Sequence, residues 1–329
     1  MTTLITGAGL VGSLVARRLV EAGRPRPVLF DVAFSTENLN DHFGPGDVDL
    51  VRGDVTEISE LCDAVARYKV DRIVHTASFL TSAVNQRPVS GVHVNLGGML
   101  TVLETARLAG LDRVVFCSAN TVTLGREDSE ETDEDFSVRT VSEYPPTIYG
   151  TMKLASEWLG HNYADAFGVR VVSMRLGGVF GPWRGTPSGG PSRLLKAVIE
   201  EAWNDKPVRL SAADLAQSMD FVYARDVAKG LVLALEHADP PSRVYNLSGG
   251  RLCAVAEVIE LLGQRLGRPV VVESVAEETS RSSYRPGPPI NISRLTRELG
   301  YAPDFPIEKA LDDYVGWLAR ISPEEGAHG

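Results

Sequence analysis

Short apolar runs recur through the first half of the chain, at 2–6, 27–31, 49–52, 72–77, 113–117 and 170–175. Between them the apolar positions relax to a helical period. After the first run, Val11, Leu14, Val15 and Leu19 fall on one helical face. Alternation of buried strands with amphipathic helices predicts the α/β class, as a doubly wound parallel sheet of Rossmann type covered by helices on both faces. A composition break follows at 182–191, Pro-Trp-Arg-Gly-Thr-Pro-Ser-Gly-Gly-Pro. Beyond it, helical patterns at 192–203, 226–238, 254–267 and 307–320 mix with short strands near 207–210, 220–223, 243–247 and 269–273. We read 1–180 as the first domain. Residues 181–329 then form a smaller C-terminal α/β lobe, with segments at about 212–250 returning to the first sheet.

The turn between the first strand and the first helix carries Gly7-Ala8-Gly9-Leu10-Val11-Gly12. In a Gly-x-Gly-x-x-Gly at this place, Gly7 permits the tight turn, Gly9 lets backbone approach a pyrophosphate, and Gly12 allows close helix–strand packing. The amides that follow, at Leu10 and Val11, open a helix whose N-terminus attracts anions. The second strand ends in Asp31, nineteen residues past Gly12, near the spacing at which a carboxylate reaches the adenosine ribose. It would repel a 2′-phosphate, so the predicted cofactor is NAD. At the third strand, Asp54 reads equally as an acceptor for the adenine amino group, with Val55 packing nearby, or as a helix N-cap. His75-Thr76-Ala77-Ser78 supplies small residues where backbone must pass close to a ligand; His75 itself reads as a core histidine. Asn95 opens the helical run from Leu96 to Ala109 and reads as its N-terminal cap.

Composition narrows the function. The chain has 329 residues, 43% hydrophobic and 23% charged, with a net charge of −10. Such acidity argues against sequence-independent nucleic-acid binding and favours a small-molecule site. Three widely spaced cysteines, Cys62, Cys117 and Cys253, lack the pairing of a zinc site or a disulfide framework, which suits a reducing cytoplasm. With the first strand placed at the very start of the sequence, no signal peptide is expected, and no apolar run is long enough to span a membrane.

Tyr149 and Lys153 stand four apart and share one helical face. A tyrosine of ordinary pKa near ~10 is a poor base at neutral pH, and a neighbouring ammonium is expected to lower it. The pair can then move a proton to or from an alcohol while a nicotinamide moves hydride.

With these residues in order, the chain resembles the extended short-chain dehydrogenase/reductases, the NAD-dependent epimerase/dehydratase family. The likeness covers nearly the whole length. It rests on the glycine turn, Asp31, Gly53-Asp54-Val55, His75-Thr76-Ala77, Val94-Asn95-Leu96-Gly97-Gly98, the Tyr149/Lys153 pair, the run from Arg175 to Pro182 and the run from Asp220 to Ala228. The resemblance implies adenine contacts at Asp54 and Val55, nicotinamide-side contacts from Thr76 to Ser78 and at Gly177, and a cofactor contact at Asn95. It further implies proton transfer by Tyr149, with Lys153 on the nicotinamide ribose, and a homodimer. Helices 96–109 and 150–167, presenting Met99, Leu103, Leu159 and Tyr163, would pair across a two-fold axis.

Four departures bear on the substrate. The glycine turn is one residue tighter than the family's usual form. The family's Ser or Thr that bonds the reacting oxygen falls on Ala119 counting from the strand and on Asn120 counting back from Gly125. Ser118 is then the nearest hydroxyl and the expected catalytic one, Thr121 is its rival, and Asn120 is a further donor. No carboxylate occupies this stretch, which argues against elimination. The diphosphate clamp of nucleotide-sugar enzymes is incomplete, with Gly178 in place of Asn and Met219 in place of Arg, although Arg285 remains. Finally, an acidic loop at 126–135 follows the fifth strand; it reads as a solvated face or, near the crevice, as a bar to a doubly phosphorylated substrate.

The sequence therefore predicts an NAD-dependent enzyme. It would oxidise, reduce or epimerise a secondary alcohol on a small polar substrate such as a sugar, sugar acid or polyol. The alternatives are a nucleotide-sugar 4-epimerase with a non-standard diphosphate site and a catalytically silent NAD-binding sensor.

Overall fold

The computed structural model describes residues 1–123, 133–135, 145–185, 190–276 and 287–321. The first part of the chain runs β1 (Thr2–Thr6), α1 (Leu10–Glu21), β2 (Val28–Asp31), α2 (Thr36–His42), β3 (Asp49–Arg52), α3 (Ile58–Tyr68) and β4 (Val70–His75). Two short helices, α4 (Thr81–Gln86) and α5 (Pro88–Val92), lead through a π-helical turn (His93–Gly97) into α6 (Gly98–Ala109). Then come β5 (Arg113–Ala119), a 3-10 turn (Asn120–Val122), α7 (Ile148–Phe167), β6 (Val171–Leu176) and β7 (Gly178–Phe180). The remainder is α8 (Gly190–Trp203), β8 (Val208–Leu210), α9 (Ala212–Ala216), β9 (Ser218–Tyr223), α10 (Ala224–Glu236) and β10 (Val244–Leu247). It closes with β11 (Leu252–Ala254), α11 (Val255–Leu266), β12 (Val272–Ser274), α12 (Ser293–Leu299) and α13 (Ile307–Ile321).

Seven strands form one parallel sheet in the order β10-β6-β5-β4-β1-β2-β3. The predicted doubly wound sheet is therefore present. Its central strands are apolar on both faces because both faces are covered. Ile5, Val74 and Val115 pack with Val15 and Leu19 of α1 and Val227 and Leu231 of α10. Their neighbours Leu4, Ile73 and Val114 point the other way, onto Leu61 and Val65 of α3 and Met99 and Leu103 of α6. The strand order reverses between β1 and β4, which opens a crevice at their carboxyl ends. Two buried cations brace the opposite end. Arg72 and Arg113 donate to main-chain carbonyls at the carboxyl end of α10, among them Leu235 from Arg72 at 3.0 Å and Ala234 from Arg113 at 3.1 Å, where the helix dipole favours positive charge.

A separate apolar cluster joins α8, α11 and α13 around Leu194, Val198, Val258, Leu262, Leu311 and Tyr314. It packs on the small sheet β11-β9-β7. Because β7 leaves the carboxyl end of β6 after Gly177, this lobe stands directly over the crevice.

The helix predicted to open at Leu96 in fact continues α5 through the π turn. Asn95 consequently lies inside a helical segment and caps nothing. Its buried side chain instead bonds both sides of the Phe79 peptide, accepting from the amide at 2.7 Å and donating to the carbonyl at 2.8 Å.

Candidate active site

The crevice is a cleft of about 820 Å³. It brings together every described residue predicted for cofactor or substrate, from the glycine turn through Asp31, Asp54 and Val55, Thr76 to Ser78, Ser118, Asn120, Thr121, Tyr149 and Lys153 to Gly177 and Gly178. Asn95 is the exception: it lies behind the wall and fixes the Phe79 backbone that forms it. Arg285 lies outside the described residues.

The glycine turn is built for close approach. Gly7 has a φ of 89°, and a Cβ there would meet the Ala77 amide at 2.7 Å. A Cβ on Gly12 would run into the carbonyl of Gly7. Thr76 pins this packing, since its hydroxyl donates to the carbonyls of Thr6 at 2.7 Å and Gly7 at 3.0 Å. Gly9 is different. A Cβ there would meet nothing within 4 Å, and Gly9 caps α1 without a side-chain hydrogen bond. Open space before bare helix amides is what a pyrophosphate requires, so the residues present fit a dinucleotide.

Asp31 Oδ2 accepts from the Ala8 amide at 2.7 Å, and Oδ1 from Ala33 at 3.2 Å. The carboxylate thus ties the end of β2 to the glycine turn. Asp54 folds back on its own loop, with Oδ1 accepting from the Thr56 amide at 2.9 Å and the Thr56 hydroxyl at 2.8 Å. It sits ahead of α3 as a turn residue, while the helix cap itself is Glu57. Val55 fills the space against Gly98.

Tyr149 and Lys153 lie on the buried face of α7, opposite the carboxyl end of β5. Lys153 Nζ donates to the Cys117 carbonyl at 2.8 Å and stands 4.7 Å from the Phe116 ring centre and 5.4 Å from that of Tyr149. Burial lowers the Lys153 pKa to about 8. Burial also raises the Tyr149 phenol above its ordinary value, against a hydrogen bond from Ser78 that pulls it down. The expected lowering by Lys153 is therefore not what this geometry produces: desolvation dominates, and the ammonium is spent on a carbonyl. His75 is a core residue, as read from sequence. It is fully buried, bonded through Nδ1 to Thr6 Oγ1 at 2.7 Å and stacked on Phe116.

The hydroxyls beside Tyr149 separate sharply. Ser118 Oγ donates to Glu157 at 2.5 Å, and Glu157 is held by a bidentate pair with buried Arg175. The Thr121 Oγ1 is shielded from solvent and has no hydrogen-bond partner among the described residues. Asn120 is buried within the 3-10 turn, its carbonyl accepting from Thr123.

A model of the NAD dependent epimerase/dehydratase family matches residues 3–248. The chain belongs to that family. NAD is accordingly its cofactor, and the chain is an enzyme of the NAD-dependent epimerase/dehydratase type. It is similar to the UDP-glucose 4-epimerase of Corynebacterium glutamicum, 29% identical with 92% of this chain and 91% of that one covered. Among solved structures it is similar to the Thermus thermophilus UDP-glucose 4-epimerase in complex with NAD, with a TM-score of 0.80, 25% identity, and 98% of this chain and 100% of that one covered. A partial consensus L-threonine 3-dehydrogenase shares the fold, with a TM-score of 0.83 at 21% identity over 97% of this chain and 100% of that one.

Two of the positions singled out in the sequence lie in the small sheet of the lobe. Met219 pairs with Cys253 across β9 and β11 and is buried in the lobe's apolar core. Gly178 packs close to the Asp220 carbonyl and Phe221, leaving little room for a longer side chain. Of the acidic loop, 126–132 lies outside the described residues. Residues 133–135 dock away from the cleft: Glu134 is buried, accepts from the Asn246 amide at 2.8 Å and pairs with Arg294, while Asp133 accepts from Asn291 at 2.9 Å. In the sequence Arg175 stands out only as the start of a motif run, and Glu157 does not stand out at all. Glu157 could have been found, because it continues the four-residue spacing of Tyr149 and Lys153.

Proposed function

We propose that this enzyme moves hydride at a secondary alcohol or carbonyl of a small polar substrate, a sugar, sugar acid or polyol, as a dehydrogenase, reductase or epimerase. The observation that carries the reading is the placement of Tyr149 and Lys153 in one cleft with the glycine turn and Asp31. NAD supplies the hydride acceptor or donor. Tyr149 exchanges a proton with the substrate oxygen; its phenol, kept neutral by burial, is the form that donates to an alkoxide. Lys153 holds the nicotinamide ribose. Thr121 orients the reacting oxygen in preference to Ser118, because its hydroxyl is unpartnered among the described residues whereas Ser118 is committed to Glu157. The glycine turn with Leu10 and Val11 takes the pyrophosphate, Asp31 the adenosine ribose, and Asp54 and Val55 the adenine.

A second reading is a nucleotide-sugar 4-epimerase with an altered diphosphate site. The chain's similarity to UDP-glucose and UDP-glucuronate 4-epimerases favours it; Gly178, which lines the cleft where an Asn is expected, stands against it. A panel of free sugars, sugar acids and UDP-sugars, followed by NADH absorbance and product stereochemistry, separates the two. Turnover confined to UDP-sugars would replace the first reading by the second.

We also propose a homodimer through α6 and α7. Met99 and Leu103 do not serve it, being wholly buried in the core. The support comes from other residues of these helices: Leu100, Ile148 and Trp158 are 44%, 44% and 51% exposed. The three free cysteines suit a reducing, cytoplasmic setting; among the described residues no helix is long and apolar enough to cross a membrane.

A further inference from the structure

A chain of buried polar groups runs behind Tyr149 and Lys153. The same face of α7 carries Glu157 one turn beyond Lys153, and all three side chains are buried. Glu157 Oε1 accepts from Ser118 Oγ at 2.5 Å and Arg175 Nε at 2.9 Å, and Oε2 accepts from Arg175 Nη2 at 2.7 Å. Arg175 Nη1 donates to the Glu134 carbonyl at 2.8 Å. Because Lys153 bonds the carbonyl of Cys117, the residue before Ser118, α7 is fastened to β5 at two successive residues. One fastening is an ammonium and the other a carboxylate braced from β6.

Fold stability alone gives little reason for such charges. Desolvating a buried ion pair costs so much that apolar residues of equal volume often hold a fold as well or better. The charge has a nearby use. Burial drives the Lys153 pKa down to about 8, and the groups that oppose this are Cys117 and Glu157. The Cys117 thiol, itself pushed up to about 12 by burial, carries no charge near neutral pH. Glu157 is left as the supporting anion. The other groups around α7 do not take its place: His75 on β4 is neutral near pH 7, its pKa depressed to about 3 by burial. Arg175 on β6 is turned to Glu157. Glu104 and Arg107 of α6 meet the far end of α7 at Tyr163 and Phe167. Arg87, between α4 and α5, covers Phe79, and His93 on the π turn is exposed.

We propose that Glu157 is a positioning residue of the reaction, holding Lys153 as an aligned ammonium beside Tyr149, and that Arg175 keeps Glu157 in place. This rests on the reading of Lys153 as the group that holds the ribose. The test is the affinity for NAD⁺ by titration calorimetry across the neutral and alkaline range, for wild type, Lys153→Ala, Glu157→Gln, Glu157→Asp and Glu157→Gln/Arg175→Met. Wild-type affinity should fall as Lys153 deprotonates. In Glu157→Gln the midpoint of that fall should move to lower pH, and Glu157→Asp should restore part of it. The double variant leaves no unpaired buried cation, so it should fold where the single one does not and should keep the lowered midpoint. A wild-type midpoint in either folded variant overturns the proposal, as does failure of both to fold, which would make the pair purely structural. If Lys153→Ala binds NAD⁺ as wild type does, the underlying assignment of Lys153 fails instead.

Discussion

Asp31 accepts a hydrogen bond from the Ala8 amide at 2.7 Å, so the carboxylate proposed to meet the ribose also anchors the glycine turn. Its two oxygens have separable roles. Asp31→Asn keeps an acceptor for Ala8 and loses the charge, and we expect it to weaken NAD⁺ about tenfold, the scale of a hydrogen bond to a charged group, while narrowing the gap to NADP⁺. Asp31→Ala should also lower the melting temperature, because the turn loses its tether. Titration of both cofactors against each variant checks this; tighter binding of NADP⁺ than NAD⁺ by wild type would refute the assignment.

Tyr149→Phe should reduce turnover by roughly 10²–10⁴ with NAD⁺ affinity nearly intact, the loss of one proton-transfer group. Lys153→Ala should damage both. Steady-state rates beside calorimetric affinities make the comparison, and wild-type turnover in Tyr149→Phe would end the proposed mechanism.

Thr121→Val should cost about 10²-fold in kcat, as for the loss of one donor to the reacting oxygen. Ser118→Ala should act chiefly on stability, since it strips a buried partner from Glu157. Kinetics and thermal melts of the two variants side by side decide between the hydroxyls; a catalytic defect in Ser118→Ala alone would restore Ser118 to the role.

Acid should destabilise the fold through its buried imidazoles. Burial depresses His75 to about 3 and His42 to about 4, so between these values and the ordinary 6.5 the unfolded chain binds more protons than the folded one. Stability from these groups is therefore full above about pH 6.5 and is lost as the pH falls, by about 1.4 kcal/mol per pH unit for each histidine. Urea unfolding at several pH values should give a shallower slope for His75→Asn than for wild type over this window. Equal slopes would mean that His75 does not titrate as its burial demands.

Trp158→Glu should yield a monomer with the fold retained, because it places a charge on the exposed face of α7. Light scattering at micromolar concentration reads the outcome, and a wild-type monomer would remove the dimer altogether.

The sequence by itself determined the sheet and the cradle. Short apolar runs alternating with helical stretches mark strands buried on both faces by their length rather than by a period, and the glycine spacing of the first turn is a local backbone requirement that neighbours in sequence must satisfy. Helix periodicity likewise put Tyr149 and Lys153 on one face. Tertiary packing decided what those side chains do. Asn95 reads as a cap in one dimension; only the π turn and the nearby Phe79 peptide make it a brace for the cleft wall. Ser118 and Thr121 are equivalent hydroxyls along the chain. They part company because β6 brings Arg175, and α7 brings Glu157, against one of them and not the other. Met219 left the diphosphate question by turning into the lobe core. The Tyr149 phenol, expected to be lowered by its lysine neighbour, is raised instead, since desolvation depends on everything packed around the ring while spacing names only one neighbour.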